Sequence, residues 1–343
     1  VKGGNNAWTC KRNKLSGYNK MSIFREQGEY MENSQFGNKD MPFLNEIVYG
    51  DCIDIMKKIP SDSIAVCITD PPYNYEFAGH KWNSSEIKRR TEKAQKSSSI
   101  LVKNLPYGSG LSGGVRNERW YEKNRNNIVE YGKWVEDWGS ELYRTLKPGG
   151  LVFTFNSSRT VAHVQVSLEN VGFYTRDIMV WKRNSGIPKG LNVVKKLEKM
   201  GLSGADEWQG WHSCLRSEWE AISVVQKPLV NNYVQTLFEH GIGLFKAKTD
   251  EGFRSNIIAD IKKEAAESFN NHITIKPMKL IENLLELSVP RGRGNIVIDP
   301  FVGSGTTAVV AKKANIDFIG IEINSEYIGI ANQRLANAEV SHV

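Results

Sequence analysis

No stretch of the 343-residue chain approaches the roughly 18 consecutive apolar residues that a membrane span requires. Its N-terminal region lacks an apolar core of signal-peptide type. A cytoplasmic protein with no membrane partner is therefore expected. Cysteine is scarce: Cys10, Cys52, Cys67 and Cys214 are too scattered for a zinc knuckle or a disulfide framework, so reduced thiols and no metal are expected. The glycine turn at Gly303 and Gly305 is not followed by Gly-Lys-Ser/Thr, which excludes a Walker phosphate loop there, and that turn also lacks the three-glycine dinucleotide fingerprint. There is no internal repeat and no low-complexity tract.

What is present is a globular composition, 40% apolar, with a net charge of +7 that is unevenly placed. Between Gly79 and Arg125 there are eleven Lys or Arg, Lys88, Arg89, Arg90, Lys93, Arg116, Arg119 and Arg125 among them, against four Glu. That segment is also rich in Gly, Ser and Asn, with Trp82, Tyr107, Trp120 and Tyr121 interleaved. Such a mixture suits a polyanion, since cations meet phosphates and flat rings pack on bases, although a solvated surface loop has the same composition. Residues 1–40 show no sustained period and are expected to form a flexible arm. The chain starts at Val1 rather than methionine, and the fold itself is expected to begin near Met41.

From Met41 onward strands and helices alternate. "EIVYG", "SIAVCIT", "LVFTF", "FYTRDIMVWKR", "NIVID" and "DFIGIEI" are short apolar runs of strand type. Between them lie helical periods such as "KWVEDWGSELYRTLKPGG", which places Val135, Trp138, Leu142 and Leu146 on one face. Alternation of this kind predicts a parallel sheet covered on both faces. Two spans break the rhythm, about 79–125 and about 184–271, and both are too long for ordinary connections.

Two stretches carry chemistry. In "NIVIDPFVGSGTTAVVAKK" a buried strand ends at Asp299, and Gly303 and Gly305 permit a tight turn into a helix whose first amides face a ligand crevice. Glu322 ends the following strand, where an acid can accept from ribose hydroxyls. In "ITDPPYNYEF" the apolar strand is cut short by Pro71 and Pro72, so that Asp70 and Tyr73 are held rigidly past its end. In a parallel sheet both stretches project over the same carboxyl edge.

The pairing of "TDPPYN" with "DPFVGSGTT" resembles the DNA amino-methyltransferases that use S-adenosylmethionine. The resemblance runs from Met41 to Ala336 and includes "IVYGDCIDIMKKIPSDSIAVCITDPPYN", "LKPGGLVFTF", "LRSEWEAISVVQKPL" and "HITIKPMKLIENLL". Because the "DPPY" half comes first, the chain resembles the beta group, a circular permutation of the commoner order. The resemblance implies a Rossmann-like α/β fold with a mostly parallel seven-stranded sheet and helices on both faces. In "HITIKP" the family's usual proline after the histidine is replaced by Ile273, and Ile275 stands where a polar residue is usual, while Thr274, Lys276 and Pro277 keep the pattern.

The family's chemistry then maps onto this sequence residue by residue. Asp70 and the Pro71 carbonyl would accept the two N–H bonds of an exocyclic base amine, with Pro72 fixing the turn and Tyr73 stacking on a base flipped out of the helix. Asp51 and Cys52 would edge the cofactor's adenine, and Glu322, Ile323 and Asn324 its ribose. Asp70, Asp299 and the loop of Phe301, Gly303, Ser304, Gly305, Thr306 and Thr307 would line its methionine part, with Thr274 near it and Lys276 at its carboxylate. The implied reaction converts S-adenosylmethionine to S-adenosylhomocysteine without a metal. An aspartate at position 70 resembles the adenine-N6 subclass; serine is usual for cytosine-N4. A C5-cytosine enzyme needs a thiolate, conventionally on a cysteine after proline, and no cysteine here follows one. Cytosine-N4 methylation of DNA is the first alternative, followed by RNA or protein amide methylation or a catalytically dead DNA-binding scaffold. Double-stranded DNA is the expected partner, in a prokaryotic or phage setting at the nucleoid. A homodimer and a cognate restriction endonuclease are further partners that the resemblance suggests.

If residues 79–125 clamp phosphates and 184–271 read bases, replacing Lys88, Arg89 and Arg90 together flattens the salt dependence of DNA affinity, measured by titration at several ionic strengths. An unchanged slope would show that these cations do not meet the backbone.

Overall fold

The computed structural model describes residues 40–73, 118–183, 190–261, 264, 269–270, 275–290 and 294–339, with side chains 118–124 left aside. The expected arm at 1–40 lies outside the described residues except for Asp40. Most of the basic span does too, including Lys88, Arg89, Arg90, Lys93 and Arg116.

Strands β1 (Glu46–Tyr49), β2 (Ile64–Thr69), β3 (Leu146–Asn156), β4 (Tyr174–Lys182), β5 (Trp219–Gln226), β8 (Ile257–Ile258), β9 (Ile296–Asp299) and β10 (Asp317–Glu322) form one sheet. Their order is β1-β10-β9-β2-β3-β5-β4-β8. β6 (Lys248–Thr249) and β7 (Gly252–Phe253) pair separately. All neighbours in the main sheet are parallel except those involving β5, which runs against both β3 and β4. The seven strands expected are therefore eight among the described residues. The additional one is the two-residue β8, which adds beside β4 in register Val180↔Ile257.

The strands are apolar along both faces because both are covered. One face carries Val66, Ile68, Phe153, Val224 and Val297 under α6 (Met278–Ser288) and α7 (Thr306–Lys313). The other carries Cys67, Val152, Val225, Ile298 and Ile319 under α1 (Cys52–Met56), α2 (Glu118–Thr145) and α3 (Val161–Val171). Burial on two faces leaves no polar alternation, which is why these strands read as continuous apolar runs. The chain is completed by α4 (Val193–Lys199), α5 (Tyr233–His240) and α8 (Ser325–Ala336).

Three sequence expectations shift. Helix α2 starts at Glu118, so the end of the basic span, with Arg119 and Arg125, is helical rather than loop. Leu146, read as the last residue of that helix's apolar face, opens β3 instead. Between Ile64↔Leu146 and Val66↔Leu151 the β3 side spends three more residues than β2, so "KPGG" bulges out of the ladder where Gly149 adopts a left-handed φ of 79°. The span 184–271 contains β5, whose position between β3 and β4 makes it part of the main sheet.

Tyr131, Val135, Trp138 and Leu142 recur at helical spacing on α2 and are buried. Trp138 lies edge-on to Phe301 of the glycine loop, 5.6 Å between ring centroids. Truncating so large a buried ring leaves a cavity: Trp138→Ala is expected to lower stability by about 3–5 kcal/mol in urea unfolding.

Candidate functional site

Since β1, β10, β9, β2 and β3 are mutually parallel, the residues that end them share one edge. Asp70 follows β2, Asp299 ends β9, Glu322 ends β10, and Asp51 follows β1 after Gly50. The two sequence stretches are thus brought together, and hydrogen bonds join them: the Thr69 hydroxyl donates to Asp299 Oδ1 at 2.7 Å.

The glycine turn is built by geometry that other residues resist. Gly305 has φ 83°, and a Cβ there would lie 2.8 Å from Cβ of Ala331 on α8. The turn lets the Phe301 amide donate to Asp299 Oδ1 at 3.1 Å and the Gly303 amide to Glu322 Oε2 at 3.0 Å. Glu322 Oε1 accepts from the Asn324 amide at 2.7 Å. Asn324 in turn caps α8 by accepting from the Glu326 amide, and Ile323 adds a backbone donor to Glu322. Ser304 and Thr306 are pinned from behind by buried Arg334, whose guanidinium donates to the Ser304 carbonyl at 2.8 Å and to the Thr306 hydroxyl at 2.9 Å. Asp51 is an exposed N-cap that accepts from the Ile53 amide, and Cys52 beside it is buried, which pushes its thiol up. Thr274 lies outside the described residues.

Burial raises the acids of this edge. Asp299 is pushed up to about 6, against the opposing hydrogen bonds from Thr307, Thr69 and the Phe301 amide. Glu322 is pushed up to about 7, with the backbone amides again opposing. Asp70 is raised by burial as well, partly countered by Lys276.

At Asp70 the contacts are dense. The Tyr73 hydroxyl donates to Oδ1 and the Lys276 ammonium to Oδ2. Lys276 Nζ also lies 3.2 Å from the Tyr73 oxygen and 3.3 Å from Oε2 of Glu220. Burial alone would pull Lys276 down, but Asp70 and Glu220 outweigh it and hold its ammonium charged. Tyr73 is raised by burial and by Asp70, so its phenol stays protonated as a donor. Lys276, expected at a cofactor carboxylate, thus sits against the acid of "DPPY" in this structure. The third residue of that turn is fixed by Tyr131, whose hydroxyl donates to the Pro72 carbonyl at 2.9 Å.

Glu220 and Arg183 did not emerge from the sequence. Glu220 reaches this edge because β5 is antiparallel, so its first residues, not its last, lie beside the end of β3. Arg183 follows β4 and donates to Glu220 Oε1 at 2.9 Å. The signal that could have found them is charge at the ends of two apolar strands, bases at "KR" and acids at "SEWEA", but only the strand direction makes them neighbours. Of the expected DNA contacts, Arg119 and Arg125 lie on α2, Arg125 exposed.

The profile of the N6/N4 methyltransferases, described as DNA methylase, matches residues 64–333. The chain belongs to this family. It is 30% identical over 306 residues to the type II methyltransferase M.HindIII of Haemophilus influenzae, covering 84% of this chain and 94% of that one. With M.HinfI of Haemophilus influenzae, also a type II methyltransferase, it is 28% identical over 295 residues, 85% of this chain and 68% of that one. Among solved structures, the cytosine-N4-specific PvuII DNA methyltransferase shares the fold with a TM-score of 0.53, at 15% identity, covering 86% of this chain and 88% of that one. The N6/N4 DNA methylases act on exocyclic amines, and the edge that joins Asp70 to the glycine loop is where this chain gathers its buried acids.

Because folding raises Asp299 and Glu322, the folded protein keeps protons that the unfolded chain releases in the ordinary carboxylate range. That stability is present at acid pH and is lost as pH rises through about 6 and then about 7. In the absence of ligand, Tm is expected to rise as pH falls across this window. Glu322→Gln is expected to flatten the upper part of the profile, at about 7, while leaving the Asp299 part at about 6, measured by thermal unfolding.

Proposed function

We propose that the protein is a site-specific DNA methyltransferase that transfers a methyl group from S-adenosylmethionine to the N6 amine of a flipped-out adenine in double-stranded DNA. The observation that carries this reading is the part-buried Asp70, set past a strand end by two prolines and joined through Thr69 to the Asp299 glycine loop. An exocyclic amine is a poor nucleophile because its lone pair is delocalised into the ring. Asp70 and the Pro71 carbonyl accept its N–H bonds and turn the lone pair out of the ring plane, while Tyr73 supports the base. The Tyr131 bond to the Pro72 carbonyl keeps that turn rigid.

The residues of the neighbouring strands fit the cofactor. Glu322 is a part-buried carboxylate whose two oxygens accept from the Gly303 and Asn324 amides, and a carboxylate has capacity for about four donors, so ribose hydroxyls would complete it. Asp51 and Cys52 lie beside it across the β1–β10 pair, whose register sets Tyr49 against Glu322. The Phe301–Thr307 turn would line the methionine part. When bound, the cofactor supplies an electrophilic methyl on a sulfonium; the protein supplies alignment and a dry, acidic edge.

The aspartate at position 70 favours adenine. The order of the two halves, "DPPY" before the glycine loop, supports a beta-group permutation. Residues 184–271 are assigned to base readout and 79–125 to the phosphate backbone. A homodimer and a cognate endonuclease, as in type II systems, complete the reading.

The test is incubation with methyl-labelled S-adenosylmethionine and DNA, followed by digestion to nucleosides. Label is expected in N6-methyladenine; label in N4-methylcytosine would overturn the adenine assignment, and no label in DNA the whole reading. Asp70→Ala is expected to lose at least ~100-fold in kcat, as for loss of a group acting in the transition state, while S-adenosylmethionine still shifts Tm.

A further inference from the structure

Both oxygens of Asp70 already hold a donor before any amine arrives. One oxygen accepts the Tyr73 hydroxyl and the other the Lys276 ammonium. If the target amine is to take the place of either donor on this carboxylate, that donor must move, and a buried ammonium that loses its acceptor is costly. The acceptor in reach is Glu220. Its Oε2 lies 3.3 Å from Lys276 Nζ and 3.4 Å from the Tyr73 oxygen, longer than the roughly 2.7–2.9 Å of a well-made charge-assisted bond. Both donors are therefore close to Glu220 while bound to Asp70.

Glu220 is built to receive them. Its other oxygen is held by Arg183 NH1 at 2.9 Å, which fixes the carboxylate so that Oε2 faces the site. Trp181 of β4 stands opposite Glu220 in register, so Arg183, two residues on, sits beyond the strand pair on the same edge. The Tyr73 hydroxyl has a single proton and can serve only one carboxylate at a time, whereas the Lys276 ammonium has three and can swing from one to the other without losing contact.

We propose that Glu220, anchored by Arg183, is a positioning residue that takes over the Lys276 ammonium and the Tyr73 hydroxyl when the target amine occupies Asp70. The inference rests on the reading of Asp70 as the amine acceptor. It makes Lys276 a placeholder: in the absence of substrate its ammonium offsets the buried Asp70 charge, and on substrate binding it withdraws to Glu220.

The test is a double-mutant cycle on the full chain, read as methyl transfer from labelled S-adenosylmethionine to DNA. Glu220→Gln keeps the shape but removes the charge that draws Lys276 away, so kcat is expected to fall about tenfold or more with little change in KM for DNA or cofactor. Adding Lys276→Met removes the donor stranded on Asp70, so the double variant is expected to be faster than Glu220→Gln alone. Losses that simply multiply would overturn the exchange, as would a Glu220→Gln protein with wild-type kcat. Should Glu220→Gln fail to fold, Glu220→Asp, which keeps the charge but shortens its reach, is expected to show the same kcat loss and the same relief by Lys276→Met; its absence would overturn the exchange equally. A wild-type protein that labels no DNA overturns the parent reading and this one together, whereas additive losses in an active enzyme overturn only the exchange.

Discussion

Four carboxylates share one part-buried edge of the sheet, and the rest of the site is arranged to keep them there. Left bare, the like charges of Asp70, Asp299, Glu220 and Glu322 would repel one another. Each is offset differently: Glu322 by backbone amides of the turns after β9 and β10, Asp299 by Thr69, Thr307 and the Phe301 amide, and Asp70 and Glu220 by a shared lysine, with Arg183 behind. The compensation is partial, because Asp299 and Glu322 remain raised. A sheet packed on both faces supplies the stability that tolerates this strain at its rim.

The antiparallel β5 solves a positional problem. A parallel strand brings only its last residues to the carboxyl edge, so every acid there would have to follow an apolar run. Reversing one interior strand brings a first residue to the same place, and Glu220 arrives opposite Asp70 without lengthening any loop. The same reversal sends the chain after Gln226 away from the site, so the segments on either side of β5 leave from opposite ends of the sheet.

Much of this was legible in the sequence, and the reasons are local. Strands buried on two faces are unbroken apolar runs, so β2, β9 and β10 could be placed from composition alone, and the helices α6, α7 and α8 from their periods. Asp70, Asp299 and Glu322 stood out because proline, glycine or a strand end marked them. What could not be read depends on direction and register. Leu146 continues a helical period yet begins a strand, since "KPGG" is accommodated by a bulge instead of ending the element cleanly. Lys276 looked like a lone cation near a helix start, and only the folded sheet shows that it lies 206 positions away from its partner Asp70 in sequence and in contact in space. Glu220 and Arg183 have meaning only once β4 and β5 are known to be antiparallel neighbours.

Helix α2 touches both halves of the site. Tyr131 holds the Pro72 carbonyl, while Trp134 and Trp138 press on Phe301, with ring centroids 5.4 Å and 5.6 Å away. A helix advances about 1.5 Å per residue, so the seven positions from Tyr131 to Trp138 mark off roughly 10 Å along a stiff rod. The helix acts as a caliper with one jaw on the acceptor turn and the other on the glycine loop. Because both contacts lie on one helix, a single stiff element sets the spacing between the acceptor turn and the glycine loop.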